Sequence, residues 1–219
     1  MDLNLANRKA YDTISTEWEK KRSYYWKPVQ DFLKSSITKN DLKIIDLGCG
    51  TGRHLQLAQE SGFLKDNIFG LDFSENQLKI ARDKGFKTIK SDLSNIEGFD
   101  NYFDFGICIA SFHHLTDSDI QKKALKNFLK IFKPNAQILM SVWIPKEDFI
   151  ENQLQKGKFE YTSDKNIMKV YFNFKDIKIE RFYYFFKEKE LINLIENTGF
   201  KVNDTLHFEG NFYINFIKK

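Results

Sequence analysis

Between residues 43 and 143, short apolar runs alternate with helix-like patterns, and that alternation admits few folds. "KIIDLG" (43–48), "NIFGLD" (67–72), "FKTIKSD" (86–92), "FDFGICIA" (103–110) and "AQILMSVW" (136–143) read as strands, with helices over 52–61, 75–84 and 118–132. Strands this continuously apolar are buried on both faces, as in a parallel sheet covered by helices on each side. Two helices precede them: 4–20, with Leu5, Tyr11, Ile14 and Trp18 apolar, and 28–37, opened by Pro28. The rhythm breaks at 145–180, a polar, lysine-rich stretch read as an insertion. After "ERFYYFF" (180–186), a helix is expected over 187–198, stopped by Gly199. "FKVNDTLHF" and "NFYINFI", parted by Glu209 and Gly210, read as a closing hairpin.

The chain of 219 residues is long enough for one α/β domain, expected to cover 1–219 with an N-terminal helical cap at 1–40. No apolar run reaches the roughly 18 residues of a membrane helix, and the polar, mixed-charge start is not a signal peptide. Cys49 and Cys108 lie far apart and indicate neither a disulfide framework nor a zinc site, so a reducing, cytoplasmic setting is expected. A net charge of +4 permits a nucleic-acid partner without requiring one.

The first strand runs into "DLGCGTG". Gly48, Gly50 and Gly52 allow a tight turn and a close ligand approach to the next helix. Asp46, two residues ahead of Gly48, gives a diphosphate nothing but attracts an amine. Asp72 closes the second strand, where an acid takes ribose hydroxyls, and Asp92 closes the third, near an adenine edge. Helix capping is the alternative role for Asp72 and Asp92. Taken together, these residues describe a cleft for a nucleoside with a cationic tail.

This constellation resembles the class I S-adenosylmethionine-dependent methyltransferases, whose acid-x-Gly-x-Gly-x-Gly motif is matched from Asp46 to Gly52. The resemblance implies a Rossmann-like, mostly parallel sheet with a C-terminal antiparallel hairpin strand and helices on both faces. It implies S-adenosyl-L-methionine as methyl donor, bound by Asp46, Gly48, Cys49, Gly50, Gly52, Asp72, Phe73, Asp92, Leu93 and Ile109. "YDTISTEWEKKRSYYW", "IASFHHLTDSDIQKKAL", "SVWIPKED", "ERFYYFFKEKEL" and "EGNFYINF" further resemble segments of the tRNA wobble-uridine carboxymethyl methyltransferases, the type of the AlkB-homologue-8 C-terminal domain. Tyr11, Arg22 and Trp26 fit that family's spacing. Tyr184, Lys187, Lys189, Lys122, Lys123 and the Asn135–Ala136 pair depart from its usual residues.

What this implies is methyl transfer to the carboxylate of 5-carboxymethyluridine in tRNA, giving the methyl ester. A carboxylate nucleophile is already ionised at neutral pH, so the reaction needs placement and dryness more than a base. It also needs a cation or donor to orient the acid. Arg22, His114 and Arg181 are the candidates, with His113 as the structural member of its pair; Arg22 reads alternatively as part of a solvated basic patch or, on the resemblance, as the holder of the methyl donor's carboxylate. No metal site is expected, because no Cys or carboxylate at ligand spacing accompanies the histidines. The lysines at 122, 123, 126, 130 and 133 read as a solvated face or a phosphate track, extended by those of the insertion. The partners implied are tRNA and a small zinc-binding activator subunit at the third strand, with no membrane. A small-molecule methyltransferase and a non-catalytic tRNA- or partner-binding module are the rival readings.

Overall fold

A computed structural model of the chain describes residues 3–21, 24–37, 41–174 and 177–219. Arg22 and the side chains of Trp18, Lys20 and Lys21 lie outside the described residues. The strands are β1 (Ile44–Leu47), β2 (Ile68–Asp72), β3 (Lys87–Lys90), β4 (Phe103–Ile109), β5 (Phe132–Trp143), β6 (Phe159–Tyr161), β7 (Ile167–Phe174), β8 (Ile177–Tyr184), β9 (Phe200–Phe208) and β10 (Asn211–Lys218). The helices are α1 (Leu3–Lys21), α2 (Lys27–Ser36), α3 (Arg53–Ser61), α4 (Glu75–Asp83), α5 (Ser118–Ile131), α6 (Glu147–Gln155) and α7 (Glu188–Asn197).

The main sheet has seven strands in the order β3-β2-β1-β4-β5-β10-β9. β1 to β5 pair in parallel, and β10 runs antiparallel between β5 and β9. Every residue of β1 and β2 is buried, which explains their unbroken apolar runs. Ile44 packs with Val29 and Leu33 of α2, Leu55 and Ala58 of α3, and Leu78 and Ala81 of α4. Its neighbours Ile45 and Leu47 point the other way, into the core that also holds Ala124, Leu125 and Phe128 of α5 and Leu191 and Ile195 of α7. Each such side chain removed from water contributes about 1.5–3 kcal/mol. The helices start where sequence chemistry places them. Asp117 caps α5 by accepting from the N–H groups of Asp119 and Ile120, worth about 1 kcal/mol, and Ser74 caps α4 through the N–H of Gln77.

Chain order reverses between β1 and β4, and the crevice at the carboxyl ends of these two strands is where such sheets hold ligands. The expected sheet, hairpin and helix order are all present, with two differences. β5 begins at Phe132, four residues before the expected start, because Phe132 already pairs with Phe103 and Asn135 takes a left-handed turn (φ 64°) within the strand. The 145–180 stretch holds α6 and a three-stranded antiparallel sheet, β6-β7-β8, that absorbs most of "ERFYYFF". That sheet rests on a small core of Phe159, Met168, Val170 and Tyr183 with Trp143 and Phe185, while much of its strand length is exposed or half-buried, which explains its polar sequence.

α1 roofs the carboxyl ends of the strands and is pinned at three points. Asn7 Nδ2 donates to the Phe182 carbonyl (2.9 Å) and Asn7 Oδ1 accepts from the Phe182 N–H (2.7 Å). Asp12 Oδ1 accepts from Ser74 Oγ, and the Asp12 carbonyl from Asn76 Nδ2 (3.0 Å). Glu19 pairs with Lys84 at 2.6 Å. Among the described residues, no helix is long and apolar enough to cross a membrane.

Candidate active site

Two cavities meet under α1. The first lies over the glycine turn. Gly48 has φ +86°, and a Cβ there would lie 2.1 Å from Ser111 Oγ, so the β1 and β4 loops approach as closely as only glycine allows. Ser111 Oγ donates to the Gly48 carbonyl at 3.1 Å. Cys49, Gly50, Asp72, Phe73, Asp92, Leu93 and Ile109 all line this cavity, as do Asn7, Tyr11, Arg53, His54 and His114.

Asp72 accepts from the Gly50 N–H through Oδ2 and from the Ser74 N–H through Oδ1, both at 2.9 Å. Burial pushes its carboxyl up to about 6 against those backbone bonds, so it is ionised at neutral pH. Asp92 Oδ1 accepts from the N–H and Oγ of Ser94, which orients it at the β3 end. Asp46 and Gly52 do not reach the wall. Asp46 is 1% exposed, and neither carboxyl oxygen has a hydrogen-bond partner among the described residues. His54 Nδ1 stands 3.8 Å from Asp46 Oδ2, between it and the cavity. Burial, reinforced by Asp72, pushes the Asp46 carboxyl up to about 8, and Arg53 opposes the shift. A cation in the cavity would favour its ionised form. Acids at the β1 and β2 ends suit a cationic, hydroxylated ligand and would repel a diphosphate.

The second cavity, about 240 Å³, is bounded by Trp26, His113, Trp143, Val170, Arg181, Tyr183 and Asn211, and shares Tyr11 and Ala110 with the first. Ala110 holds φ 51°, a strained left-handed conformation for a residue with a Cβ, and its N–H is fixed by the Ser141 carbonyl and hydroxyl, each at 3.0 Å. Arg181 is 6% exposed, with its guanidinium 5.5 Å from the Tyr183 ring, 5.4 Å from Phe172 and 6.0 Å from Tyr11. It is a full cation in an aromatic box.

The two histidines have separate roles. His114 lines the first cavity, with Nδ1 3.2 Å from the Phe182 carbonyl and Nε2 2.8 Å from the Tyr11 hydroxyl. A carbonyl only accepts, so Nδ1 carries the proton and Tyr11 donates to Nε2. His113 lines the second cavity. Its Nδ1 accepts the Trp143 N–H at 3.1 Å, which leaves the proton on Nε2, and its ring stacks on Tyr183 at 4.9 Å. The geometry therefore puts His113 and Arg181 at the second cavity and His114 at the first, while Arg22 lies outside the described residues. Asn7, Arg53, His54 and Asn211 also belong to the site. Asn7 carries no motif, Asn211 falls in the family-like segment "EGNFYINF", and Arg53 and His54 are marked by following Gly52 directly. On α5 and at the start of β5, Lys122, Lys130 and Lys133 pair with Asp119, Asp100 and Asp104, so that surface carries much of its own countercharge.

A glycine turn at the switch point, acids closing successive strands and an antiparallel strand between β5 and β9 define the Rossmann-like methyltransferase class. The chain belongs to the methyltransferase domain family, whose profile matches residues 18–205. It is 31% identical to an Arabidopsis thaliana tRNA (carboxymethyluridine(34)-5-O)-methyltransferase over 64% of the chain, a match that spans only 33% of that relative's length. It is 26% identical to the Schizosaccharomyces pombe protein of the same name, over 93% of this chain and 92% of that one. A Haloferax volcanii methyltransferase, solved in complex with the Trm112 methyltransferase activator, has the same fold at a TM-score of 0.69, with 14% identity and 96% of each chain covered.

Proposed function

We propose that this methyltransferase esterifies the carboxylate of 5-carboxymethyluridine at the tRNA wobble position. The methyl donor is S-adenosylmethionine, which fits the first cavity. Asp72 and Asp92 would hold its ribose and adenine ends, and the Asp46–His54 pair faces its cationic tail. When bound, it supplies an electrophilic sulfonium methyl group.

The observation that carries the acceptor assignment is Arg181, a buried cation in an aromatic cavity that adjoins the donor cavity at Tyr11 and Ala110. Arg181 and the Nε2–H of His113 orient a carboxylate, and Trp26, Trp143 and Tyr183 flank the base that carries it. The His114–Tyr11 pair holds Tyr11 at the shared wall. No residue needs to take a proton, because the acceptor arrives ionised. These residues contribute orientation and exclusion of water. On this reading β7 and β8 of the 145–180 stretch serve the substrate side, and two free thiols, Cys49 and Cys108, suit a cytoplasmic enzyme.

A small zinc-binding activator would extend the sheet at β3, whose outer edge has no strand partner among the described residues. The activator bound to the Haloferax relative supports this reading. The test is transfer of labelled methyl to bulk tRNA bearing carboxymethyluridine, with and without a candidate zinc subunit. Label released from tRNA by mild base is expected. Label that survives mild base, or no transfer under either condition, overturns the ester assignment.

A further inference from the structure

The donor and acceptor cavities are joined by a second connection, through Arg53 and the segment 24–26. Arg53, the first residue of α3, is the one lysine or arginine among the described residues lining the donor cavity. Its Nη1 donates to the Tyr24 carbonyl at 2.7 Å, and its guanidinium lies 4.8 Å from the Trp26 ring centre and 5.9 Å from that of Tyr24. Trp26 is buried, lines the acceptor cavity, and packs 6.2 Å from His54, the neighbour of Asp46. One cation thus borders the donor cavity while it clamps the short segment that walls the acceptor cavity.

We propose that Arg53 binds the carboxylate of the donor's amino-acid tail, and that this contact sets Trp26 against the acceptor cavity. The inference rests on S-adenosylmethionine being the donor. Its tail is zwitterionic and needs two opposite partners. Asp46 and His54 lie on the side that favours the ammonium, and Arg53, one position before His54, presents a planar fork matched to a carboxylate. The backbone N–H groups at the start of α3 add to the attraction. A guanidinium has five N–H donors, so it holds the carboxylate without releasing the Tyr24 carbonyl. The carboxylate offsets the positive charge above the Trp26 face, and the indole reports that change. Donor occupancy is then registered in the wall of the acceptor cavity without contact between the two ligands.

The experiment uses the full chain and two probes that share a nucleoside: S-adenosylhomocysteine, with the amino-acid tail, and 5′-methylthioadenosine, without it. Calorimetry gives affinity, and tryptophan emission, compared with a Trp26→Phe control, gives the coupling. Wild type is expected to change its Trp26-dependent emission with S-adenosylhomocysteine only. Arg53→Gln is expected to bind S-adenosylhomocysteine at least about tenfold more weakly, to bind methylthioadenosine as wild type does, and to lose the emission change. Arg53→Lys, which keeps the charge but not the fork, should recover part of the affinity. Equal binding of S-adenosylhomocysteine by Arg53→Gln and wild type overturns the proposal, and so does an equal loss for both probes. Wild type that binds neither probe overturns the donor assignment and this inference with it.

Discussion

Replacing Asp46 by asparagine should make the ligand-free protein relatively more stable as the pH rises. In the unfolded chain this carboxyl loses its proton near 3.8, and in the folded protein burial holds the proton until about pH 8. Between those values the folded state binds more protons than the unfolded state, so stability falls with rising pH. The slope for one group is about 1.4 kcal/mol per pH unit, so ionisation of Asp46 in the unfolded state costs the wild type about 2.7 kcal/mol between pH 5 and pH 7. Asparagine does not titrate and escapes that loss. Asp72 and His54 remain in both proteins and largely cancel in the comparison. The buried amide adds an offset of about 1–3 kcal/mol for its unpaired N–H groups, which does not vary with pH. The readout is urea unfolding of both proteins at pH 5, 6, 7 and 8, taking the difference in free energy at each pH. That difference should move in the variant's favour by about 2–3 kcal/mol from pH 5 to pH 7 and level off above about 8. A flat difference would refute the reasoning, because Asp46 would then be ionised in the fold and held by a group not accounted for.

Gly48→Ala sets a Cβ 2.1 Å from Ser111 Oγ at φ +86°, so a loss of at least about 1–2 kcal/mol is expected in thermal unfolding, together with weaker S-adenosylhomocysteine binding in calorimetry. Asn7→Ala leaves the buried Phe182 N–H without its partner, while the Phe182 carbonyl keeps His114 Nδ1, and should cost about 1–3 kcal/mol in urea unfolding. Arg181→Gln should slow methyl transfer to carboxymethyluridine tRNA by about 10–100-fold while S-adenosylhomocysteine affinity stays the same. A matching loss of donor affinity would show that Arg181 shapes the fold rather than the acceptor cavity.

Much of the sheet is legible in the sequence because burial on both faces leaves a continuous apolar run, as in β1 and β2. The donor cavity is legible for a similar reason: the tight turn requires Gly48, and Asp72 and Asp92 fall at strand ends, where a pattern can find them. The 145–180 stretch is not, since a small three-stranded sheet with much of its length exposed or half-buried needs few apolar residues. The partners of a histidine are also not legible. The Trp143 N–H fixes His113 and the Phe182 carbonyl fixes His114, and both bonds join elements distant in sequence. Asn7 is an unremarkable helix residue until β8 lies beside it. Asp46 is marked by its place before the glycines, but its seat behind His54 depends on packing that no motif encodes.

The Asn7–Phe182 pin also bears on synthesis, because its two ends are 175 positions apart. At about 5–20 residues per second, roughly 9–35 s separate the making of α1 from that of its anchor on β8. During that interval β1 to β5 can assemble and shape the glycine turn, while the acceptor cavity still lacks Arg181, Tyr183 and Asn211. α1 can meet its early anchors on Ser74, Asn76 and Lys84 in that interval, but the Phe182 pin closes only after β8 is made, and until then the face that carries Asn7 and Tyr11 is incompletely covered. Slow translation would lengthen that exposure, and a chaperone that recognises short apolar helix faces would find its target on α1.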